Sequence, residues 1–268
     1  MWGYSVTAHA QTPSPLQEWQ YSGGLILERM FESDAPDIHA VLGAGMELHP
    51  AYDGSRAYRV RGGPAIDIRY HDVVFFSTGD GLGYNLVHRR GLEVGVSLAY
   101  DLGRKERLDY GNLTGMGDKP MSAVPKAFLA WVVSDQFPVV VRSDLRYLLR
   151  TGGGMVGDIG VYAPLPGSSE RFAAFLGPSV TLASRRYLQD LFGVSSEQSV
   201  ASGHPIYRVA STGVDAAGLG LSASWRVSRH YLVNIDGAIN RLGHEAADSP
   251  LVERPSAHVL TLSLDYHW

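Results

Sequence analysis

The feature that most constrains this chain is a strict two-residue alternation in its last stretch, Ala257–Trp268, which reads A-H-V-L-T-L-S-L-D-Y-H-W. Alternate side chains point to opposite faces of a β-strand, so this period predicts a strand. One face is apolar and ends on aromatic rings, and the other is small and polar. This combination is typical of a strand whose outer face meets lipid and whose inner face meets water. The apolar face consists of Leu260, Leu262, Leu264, Tyr266 and Trp268.

The same alternation recurs along the chain and is clearest in Leu92–Leu102. Segments rich in Gly, Pro, Asp and Ser separate the alternating stretches, as turns do. We therefore predict twelve strands. They are Trp19–Glu28, Gly43–Leu48, Tyr58–Tyr70, Val73–Val87, Leu92–Leu102, Ala127–Val133, Val139–Leu149, Met155–Ala163, Ala174–Leu182, Leu219–Val227, Tyr231–Ile239 and Ala257–Trp268.

No apolar run approaches the roughly 18 residues that a membrane helix needs. A chain that crosses a membrane without such helices must close into a barrel, because only closure satisfies every backbone hydrogen bond. A soluble β-sandwich would instead need mostly apolar inner faces, whereas the small face here carries charges that need water or one another. The sequence predicts an all-β, transmembrane, antiparallel up-and-down β-barrel of about twelve strands over residues 19–268.

The N-terminal residues predict export. Ala8-His9-Ala10 has the small-x-small form of a signal-peptidase site, but Met1–Thr7 is too short for a complete hydrophobic region. We interpret residues 1–10 as a residual signal peptide or tag and residues 11–18 as a leader; the alternative is a disordered tail with a chance match. With Cys 0, the chain has no disulfide framework. We expect a bacterial outer-membrane protein.

The charge balance excludes nucleic acid as a partner. Lys+Arg 23 against Asp+Glu 27 gives a net charge of -4, without the basic face that nucleic-acid binding needs. No motif indicates a cofactor or a metal, and we expect neither.

Charged residues on the small faces of the strands form a candidate lumen charge cluster. Arg142, Asp144 and Arg146 alternate along one strand, spaced to pair with acids across the wall, and Glu93 and Asp101 lie on another strand. Two interpretations stay open. The charges form either a salt-bridged plug that holds the barrel rigid or a narrow polar channel.

The connection lengths indicate two different ends. The longest connections, 103–122, 183–213 and 243–256, are expected outside the cell, and the short turns are expected in the periplasm. Pro50, Tyr52, Asp53, Arg89 and Arg90 form the candidate periplasmic docking turn. The turns considered are Pro50–Ser55, Val87–Gly91, Ser134–Phe137, Pro164–Arg171 and Val227–His230.

Histidines near the strand ends raise the alternative of a hydrolase at the barrel rim. His71 and Asp72 are sequence neighbours, and neighbours in a strand point to opposite faces, so they are poorly placed for a dyad. His244, Asp248 and Ser249 share one loop, where polar residues are usually just solvated. We predict that the protein is not an enzyme.

Five segments in order resemble the MipA/OmpV family of bacterial outer-membrane proteins, named after the MltA-interacting protein. The resemblance extends from Trp19 to Trp268. One departure is Leu191, where the family pattern has an aromatic residue. The segments are Leu42–Gly45 with Pro50–Ser55, Tyr100–Arg104, Leu113–Asp118, Leu191–Ser195 with Ser202, Gly203 and Tyr207, and Ser249–Val252.

The resemblance implies an outer-membrane barrel and carries no catalytic residues. One member of the family is a scaffold that brings a lytic murein transglycosylase together with a bifunctional peptidoglycan synthase. The expected partners are therefore outer-membrane lipid and lipopolysaccharide, a murein transglycosylase and a peptidoglycan synthase. The alternative function is a small-solute channel or uptake barrel with a charged lumen.

Overall fold

A computed structural model describes residues 37–267 except positions 110, 135, 151 and 170. The described residues form a closed barrel of twelve antiparallel strands, which confirms the predicted fold. The predicted strand Trp19–Glu28, the leader, the N-terminal signal segment and Trp268 lie outside the described residues. The strands are β1 (Ile38–Pro50), β2 (Tyr58–Tyr70), β3 (Val74–Ser77), β4 (Gly81–Arg89), β5 (Leu92–Asp101), β6 (Ser122–Val132), β7 (Val140–Tyr147), β8 (Met155–Pro164), β9 (Phe172–Ala183), β10 (Gly213–Arg226), β11 (Tyr231–Leu242) and β12 (Ser256–His267).

The barrel closes through its first and last described strands. Each strand pairs with its neighbours in sequence, and β1 pairs with β12 from Val41↔His267 to Leu48↔Leu260. Closure leaves no free sheet edge along most of the wall, as a membrane requires.

The predicted single strand over Val73–Val87 is wrong, because these residues form β3 and β4 with a turn at 78–80 between them. Phe76 before the turn and Leu82 after it both face outward, at 47% and 58% exposed. The alternation thus continues in step across the turn and hides it. Gly81 adopts a φ of 74°, which favours glycine over other residues and allows the chain to reverse here.

The wall has an apolar outside and a polar inside. Outward residues such as Val60 (70% exposed) and Leu86 (61%) are large and apolar, whereas inward residues such as Asp158 (2%) are charged and buried. This reverses the arrangement of a water-soluble protein and matches a barrel in lipid.

The two ends of the barrel differ in their connections. The end that we call the short-turn end holds the connections 71–73, 90–91, 133–139, 165–171 and 227–230. The opposite end, the long-loop end, holds 51–57, 78–80, 102–121, 148–154, 184–212 and 243–255. In barrels of this type the long loops face the outside of the cell.

Helices occur in the loops of the long-loop end. Helices α1 (Arg185–Phe192) and α2 (Ser196–Ser202) connect β9 to β10, and α3 (His244–Ala247) follows β11. The loop after β5 contains a short 3-10 helix, Glu106–Leu108. None of the helices in the described part of the chain is long and apolar enough to cross a membrane.

Candidate functional site: an ion-paired lumen under a folded cap

One group of ion pairs fills the lumen beside β2, β4 and β5. The buried guanidinium of Arg69 contacts Asp67 through Nε at 2.8 Å and Glu93 through Nη1 at 3.0 Å. Glu93 also accepts a hydrogen bond from Asn85 Nδ2 at 2.7 Å. One cation therefore joins carboxylates on two strands that are not neighbours, which ties the wall together across the lumen.

A second group of ion pairs joins side chains of β6 to β8 with one another and with Asp80, in the connection between β3 and β4. Lys126 Nζ contacts Asp80 Oδ1 at 2.8 Å. Arg146 lies between Asp144, whose Oδ1 is 2.9 Å from Nε, and Asp158 on β8. All these side chains point inward, so the charge is neutralised inside the barrel rather than by solvent.

The structure places all five residues of the predicted lumen cluster on inner faces of the wall, but not in one cluster. Glu93 pairs with Arg69, Arg146 with Asp144, and Asp101 with Arg150. Arg142 lines a narrow cleft with a volume of about 30 Å³, which is room for about one water molecule. Its other charged lining residues are Arg69, Asp80, Glu93, Lys126 and Asp144.

The inner wall formed by β10 to β12 is different, because it carries carboxylates without cations. Asp215, Asp236 and Asp265 are buried there, and none pairs with a cation among the described residues. Asp265 Oδ2 accepts hydrogen bonds from Asn234 Nδ2 and Ser263 Oγ, both at 2.7 Å. Neither oxygen of Asp236 has a hydrogen-bond partner in the described part of the chain.

Helix α1 closes the mouth of the barrel on the β5 to β9 side. Ser184 caps its N-terminus by accepting from Tyr187 N at 3.3 Å, which satisfies one of the free N–H groups. The apolar face of α1 is buried in one cluster with inward residues of the barrel strands. The helix residues are Tyr187, Leu188, Leu191 and Phe192, and the strand residues are Ala99, Val124, Val156 and Ala183.

Three other loops pack beside α1, and together with it they form what we call the cap. Tyr52 OH donates to Leu251 O at 3.0 Å, and Asn112 Nδ2 donates to the same carbonyl at 2.7 Å and also contacts Tyr52 OH. Burial raises the pKa of Tyr52 to about 12, so its hydroxyl stays a donor. Leu113 is 0% exposed between these groups. Loops 51–57, 102–121 and 243–255 are thereby held as one unit.

Arg150, in the loop after β7, clamps the cap to the barrel. Its Nη1 contacts Asp101 of β5 at 2.8 Å, and its Nε contacts Asp190 of α1 at 2.9 Å. Burial alone would lower the pKa of Arg150, but the two carboxylates hold that pKa above its ordinary value. Lys119 Nζ also contacts Asp190 at 3.0 Å, and Arg104 Nη1 donates to Leu191 O at 3.1 Å. The mouth is therefore closed by buried apolar contacts and by buried ion pairs.

The candidate docking turn does not form one surface, which corrects the prediction from sequence. Pro50, Tyr52 and Asp53 lie at the long-loop end, where Tyr52 is 1% exposed inside the cap. Arg89 and Arg90 lie at the short-turn end and are exposed. The physical reason is that the chain reaches the opposite end of the barrel after each strand. Three strands, β2, β3 and β4, separate loop 51–57 from turn 90–91, and an odd number of strands puts the two at opposite ends.

The histidines do not assemble a hydrolytic triad with the serine in their loop. His244 Nδ1 lies 3.1 Å from Asp248 Oδ2, at the surface. The hydroxyl of Ser249 instead donates to Phe192 O at 2.6 Å, inside the cap. His71 contacts Asp37 at 3.3 Å, at the opposite end of the barrel.

The cap is the feature that reasoning from sequence missed, although the sequence contained a signal for it. The segments that carry the family resemblance come from four separate loops, and the structure brings them together. Met116, Val194 and Leu251 share one buried cluster, and Ala51, Tyr52 and Leu113 share another. Large apolar residues within long polar loops were the available indication that these loops pack together.

Comparison with known proteins gives structural neighbours and a family. The fold resembles the NanC porin (8% identity, TM-score 0.41, covering 85% of this chain and 98% of that chain). It also resembles an outer membrane channel from Pseudomonas putida F1 (9%, TM-score 0.43, 88% and 97%) and the CymD monoaromatic hydrocarbon channel (10%, TM-score 0.41, 97% and 94%). Similarity at this level carries no information about what this chain does.

No curated protein matches the chain in sequence. Residues 42–268 match the family model described as MltA-interacting protein MipA. This match covers most of the chain, includes eleven of the described strands entirely and the larger part of β1, and agrees with the barrel fold. The chain therefore belongs to the MltA-interacting protein (MipA) family of outer-membrane barrels.

Proposed function

We propose that this protein is a non-enzymatic scaffold of the outer membrane that holds a murein hydrolase and a murein synthase together during peptidoglycan remodelling. The observation that carries the proposal is the cap. A barrel whose mouth is closed by a packed helix and by the Arg150 ion pairs with Asp101 and Asp190 is built for rigidity rather than for flow along its axis. The family description also names an interaction with a murein enzyme.

The docking surface in this proposal is the short-turn end. Arg89, Arg90, Arg171 and Arg229 are all exposed there. Guanidinium groups bind carboxylates in a bidentate geometry, so a surface of this kind fits an acidic patch on a partner. The short turns are small, and a stable interface of about 1,600 Å² needs several of them together.

Binding of the purified barrel to a lytic murein transglycosylase and to a bifunctional peptidoglycan synthase tests this proposal. We expect the double variant Arg89→Glu, Arg90→Glu to bind at least about tenfold more weakly, because like charges across an interface cost several kcal/mol. The matched control is Arg186→Glu, Arg208→Glu, which reverses two exposed arginines at the long-loop end. Equal binding by both double variants and the wild type, or no binding at all, overturns the proposal.

The second candidate function is a small-solute channel, and the cleft beside Arg142 favours it. Arg69, Glu93 and Lys126 line this cleft with Arg142, so a solute inside would meet both signs of charge. Conductance in a planar bilayer distinguishes this function from the scaffold. Current steps whose ion selectivity changes in Arg142→Ala would establish the channel.

A silent bilayer, with the folded barrel confirmed by heat-modifiable migration on a gel, would support the scaffold. Arg142 suits this test better than Arg146, because Arg146 contacts both Asp144 and Asp158 and its loss endangers folding.

A further inference from the structure

The barrel wall has a gap near the long-loop end. Strand β3 pairs with β2 only from Asp67 to Tyr70, and β4 pairs with β5 only as far as Leu82↔Leu98. Among the described residues, no strand pairs with the free side of Tyr58–Ala65 in β2 or of Ala99–Asp101 in β5. We call this gap the notch. It is present among the described residues because the β3–β4 hairpin is shorter than its neighbours.

The sequence of β2 suits a free edge. The last contact below the notch joins Ile66 and Thr78, whose N–H donates to Ile66 O at 2.9 Å. Residues two apart along a strand direct their N–H and C=O groups to the same side. The backbone polar groups of Pro64, Gly62 and Val60 therefore point into the notch, as those of Ile66 point toward β3. Proline has no N–H to leave unpaired and is found on edge strands for that reason. A Cβ atom at Gly63 would point into the lumen and meet nothing within 4 Å, so the lumen beside the notch has open space.

The notch lies within the apolar belt of the barrel. The outward side chains around it are Val60 (70% exposed), Leu82 (58%) and Tyr100 (39%). Free N–H and C=O groups are costly in hydrocarbon, so Val60 and Gly62 need polar atoms that reach them at this depth. The apolar side chains around the notch, by contrast, contact acyl chains favourably. A ligand for the notch must therefore be amphipathic.

The inner side of the notch is cationic. Arg59 and Arg61 of β2 point inward here, and Arg61 Nη2 contacts Glu47 at 2.7 Å. Arg59 is exposed although it faces inward, unlike Asp67 and Arg69 further down the same strand, which are buried. Guanidinium and backbone N–H groups all donate hydrogen bonds, so the complementary group is an oxygen-rich anion such as a phosphate.

The turn between β3 and β4 is not part of the packed cap. Loops 51–57, 102–121, 148–154, 184–212 and 243–255 contribute buried residues or ion pairs to the closed mouth. Thr78–Asp80, the connection at the base of the notch, contributes to none of the buried apolar clusters in the described part of the chain.

We propose that the notch is a binding site for a phosphate-bearing lipid of the outer membrane. The lipid phosphate accepts hydrogen bonds from Arg59 and from the N–H groups of Val60 and Gly62, which have no strand partner on this side among the described residues, and an acyl chain lies along Leu82 and Tyr100. This site is independent of the scaffold function, since it lies at the opposite end from the docking surface.

The absence of cysteine makes a site-specific test simple, because one introduced thiol is the only one in the chain. Gly62→Cys places a bimane fluorophore at the notch. Gly237→Cys is the matched control, since Gly237 pairs with Leu221 and Leu260 on both sides and its Cβ would have ordinary contacts. Both labelled proteins are refolded into vesicles of phosphatidylcholine with a minor fraction of phosphatidylglycerol, with bromine on the acyl chains of one lipid or the other.

We expect the quenching of bimane at position 62 to show an enrichment of brominated phosphatidylglycerol of about fivefold over the bulk membrane, and the quenching at position 237 to show none. A fivefold enrichment is about the preference that one arginine near an anionic lipid provides. Arg59→Gln should reduce the enrichment to the level at Gly237 while keeping the Arg61 to Glu47 ion pair. Equal quenching at both positions, or enrichment that is insensitive to Arg59→Gln, overturns the proposal.

Loss of the enrichment in inorganic phosphate, but not in chloride of equal ionic strength, would assign the site to free phosphate and likewise overturn the lipid. If the label at position 62 prevents folding, as seen by gel migration, Val60→Cys replaces it, because Val60 also faces outward at the notch and is 70% exposed.

Discussion

The two inner walls of the barrel handle buried charge in opposite ways. On β2 to β8, carboxylates such as Asp67, Glu93 and Asp158 each contact a cation. On β10 to β12, Asp265 has only neutral donors and Asp236 has no hydrogen-bond partner among the described residues. We call these the paired wall and the acidic wall.

The difference shows where the barrel is held rigid. A buried ion pair joins strands firmly only while both partners are present, and removal of one leaves an uncompensated charge. The paired wall also supports the cap, because Arg150 connects Asp101 of β5 to Asp190 of α1. On the acidic wall, no ion pair of Asp215, Asp236 or Asp265 with a cation is present among the described residues. Substitutions on the two walls should therefore change stability in opposite directions.

The largest effect is expected from Arg146→Met on the paired wall. This change leaves Asp144 and Asp158 buried without their shared cation, and we expect the free energy of unfolding to fall by about 3 to 5 kcal/mol. A guanidinium titration of the folded fraction, followed by heat-modifiable gel migration, measures it. An unchanged midpoint would mean that the ion pairs of this wall do not hold the strands.

Next in size is Arg150→Met, which removes the connection between the paired wall and the cap. Loss of hydrogen bonds to Asp101 and Asp190 should destabilise α1 by roughly 2 to 3 kcal/mol. Hydrogen exchange of the α1 amides should rise by a correspondingly large factor, while the amides of β11 stay protected. If α1 exchanges as slowly as in the wild type, the apolar cluster alone holds the cap.

How much of this could be predicted from sequence depends on the range of the interactions. Alternation predicted the strands around Leu92–Asp101 and Ser256–His267 and the inward direction of Arg146, because facing is a local property. It could not find the turn at 78–80, since Phe76 and Leu82 keep the same phase across it. That hidden hairpin is also what opens the notch.

The ion-pair partners of the charged residues could not be predicted from the sequence, for a different reason. Arg69 and Glu93 are far apart along the chain, and their contact depends on the curvature of the closed wall. The cap likewise depends on contacts such as Tyr52 with Leu251, between opposite ends of the chain. Arrangements of this kind follow from closure of the whole ring and not from any segment of it.

Asp236→Asn on the acidic wall should increase stability. It replaces a buried carboxylate that has no hydrogen-bond partner among the described residues by a neutral group of the same shape, and we expect a gain of about 1 to 2 kcal/mol at pH 7. Asp265→Asn is the matched control on the same wall. Because Asp265 accepts from Asn234 and Ser263, it should show no gain. A loss of stability in Asp236→Asn would show that this carboxylate has a stabilising partner.

The smallest effect is expected from a change at Asp53, which lies in loop 51–57 of the cap. Its carboxylate is close enough to interact with Arg104 of the cap and with Asp215 of the acidic wall. Burial raises the pKa of Asp53 to about 6, against the opposing effect of Arg104. An acid whose pKa is raised in the folded state binds its proton more tightly there, so ionisation costs stability. This cost is absent below the unfolded pKa of 3.8, grows as the pH rises from there to about 6, and stays constant at higher pH.

Asp53→Asn removes the cost, and we expect it to match the wild type at pH 4 but to exceed it at pH 7 by about 1 kcal/mol, after allowance for solvent screening. The difference between the two guanidinium midpoints, measured across this pH range, gives the effect. A difference between the two midpoints that stays constant with pH would mean that the ionisation of Asp53 does not affect the stability of the barrel. A difference that grows as the pH falls would reverse the sign and make its carboxylate a stabilising partner of Arg104.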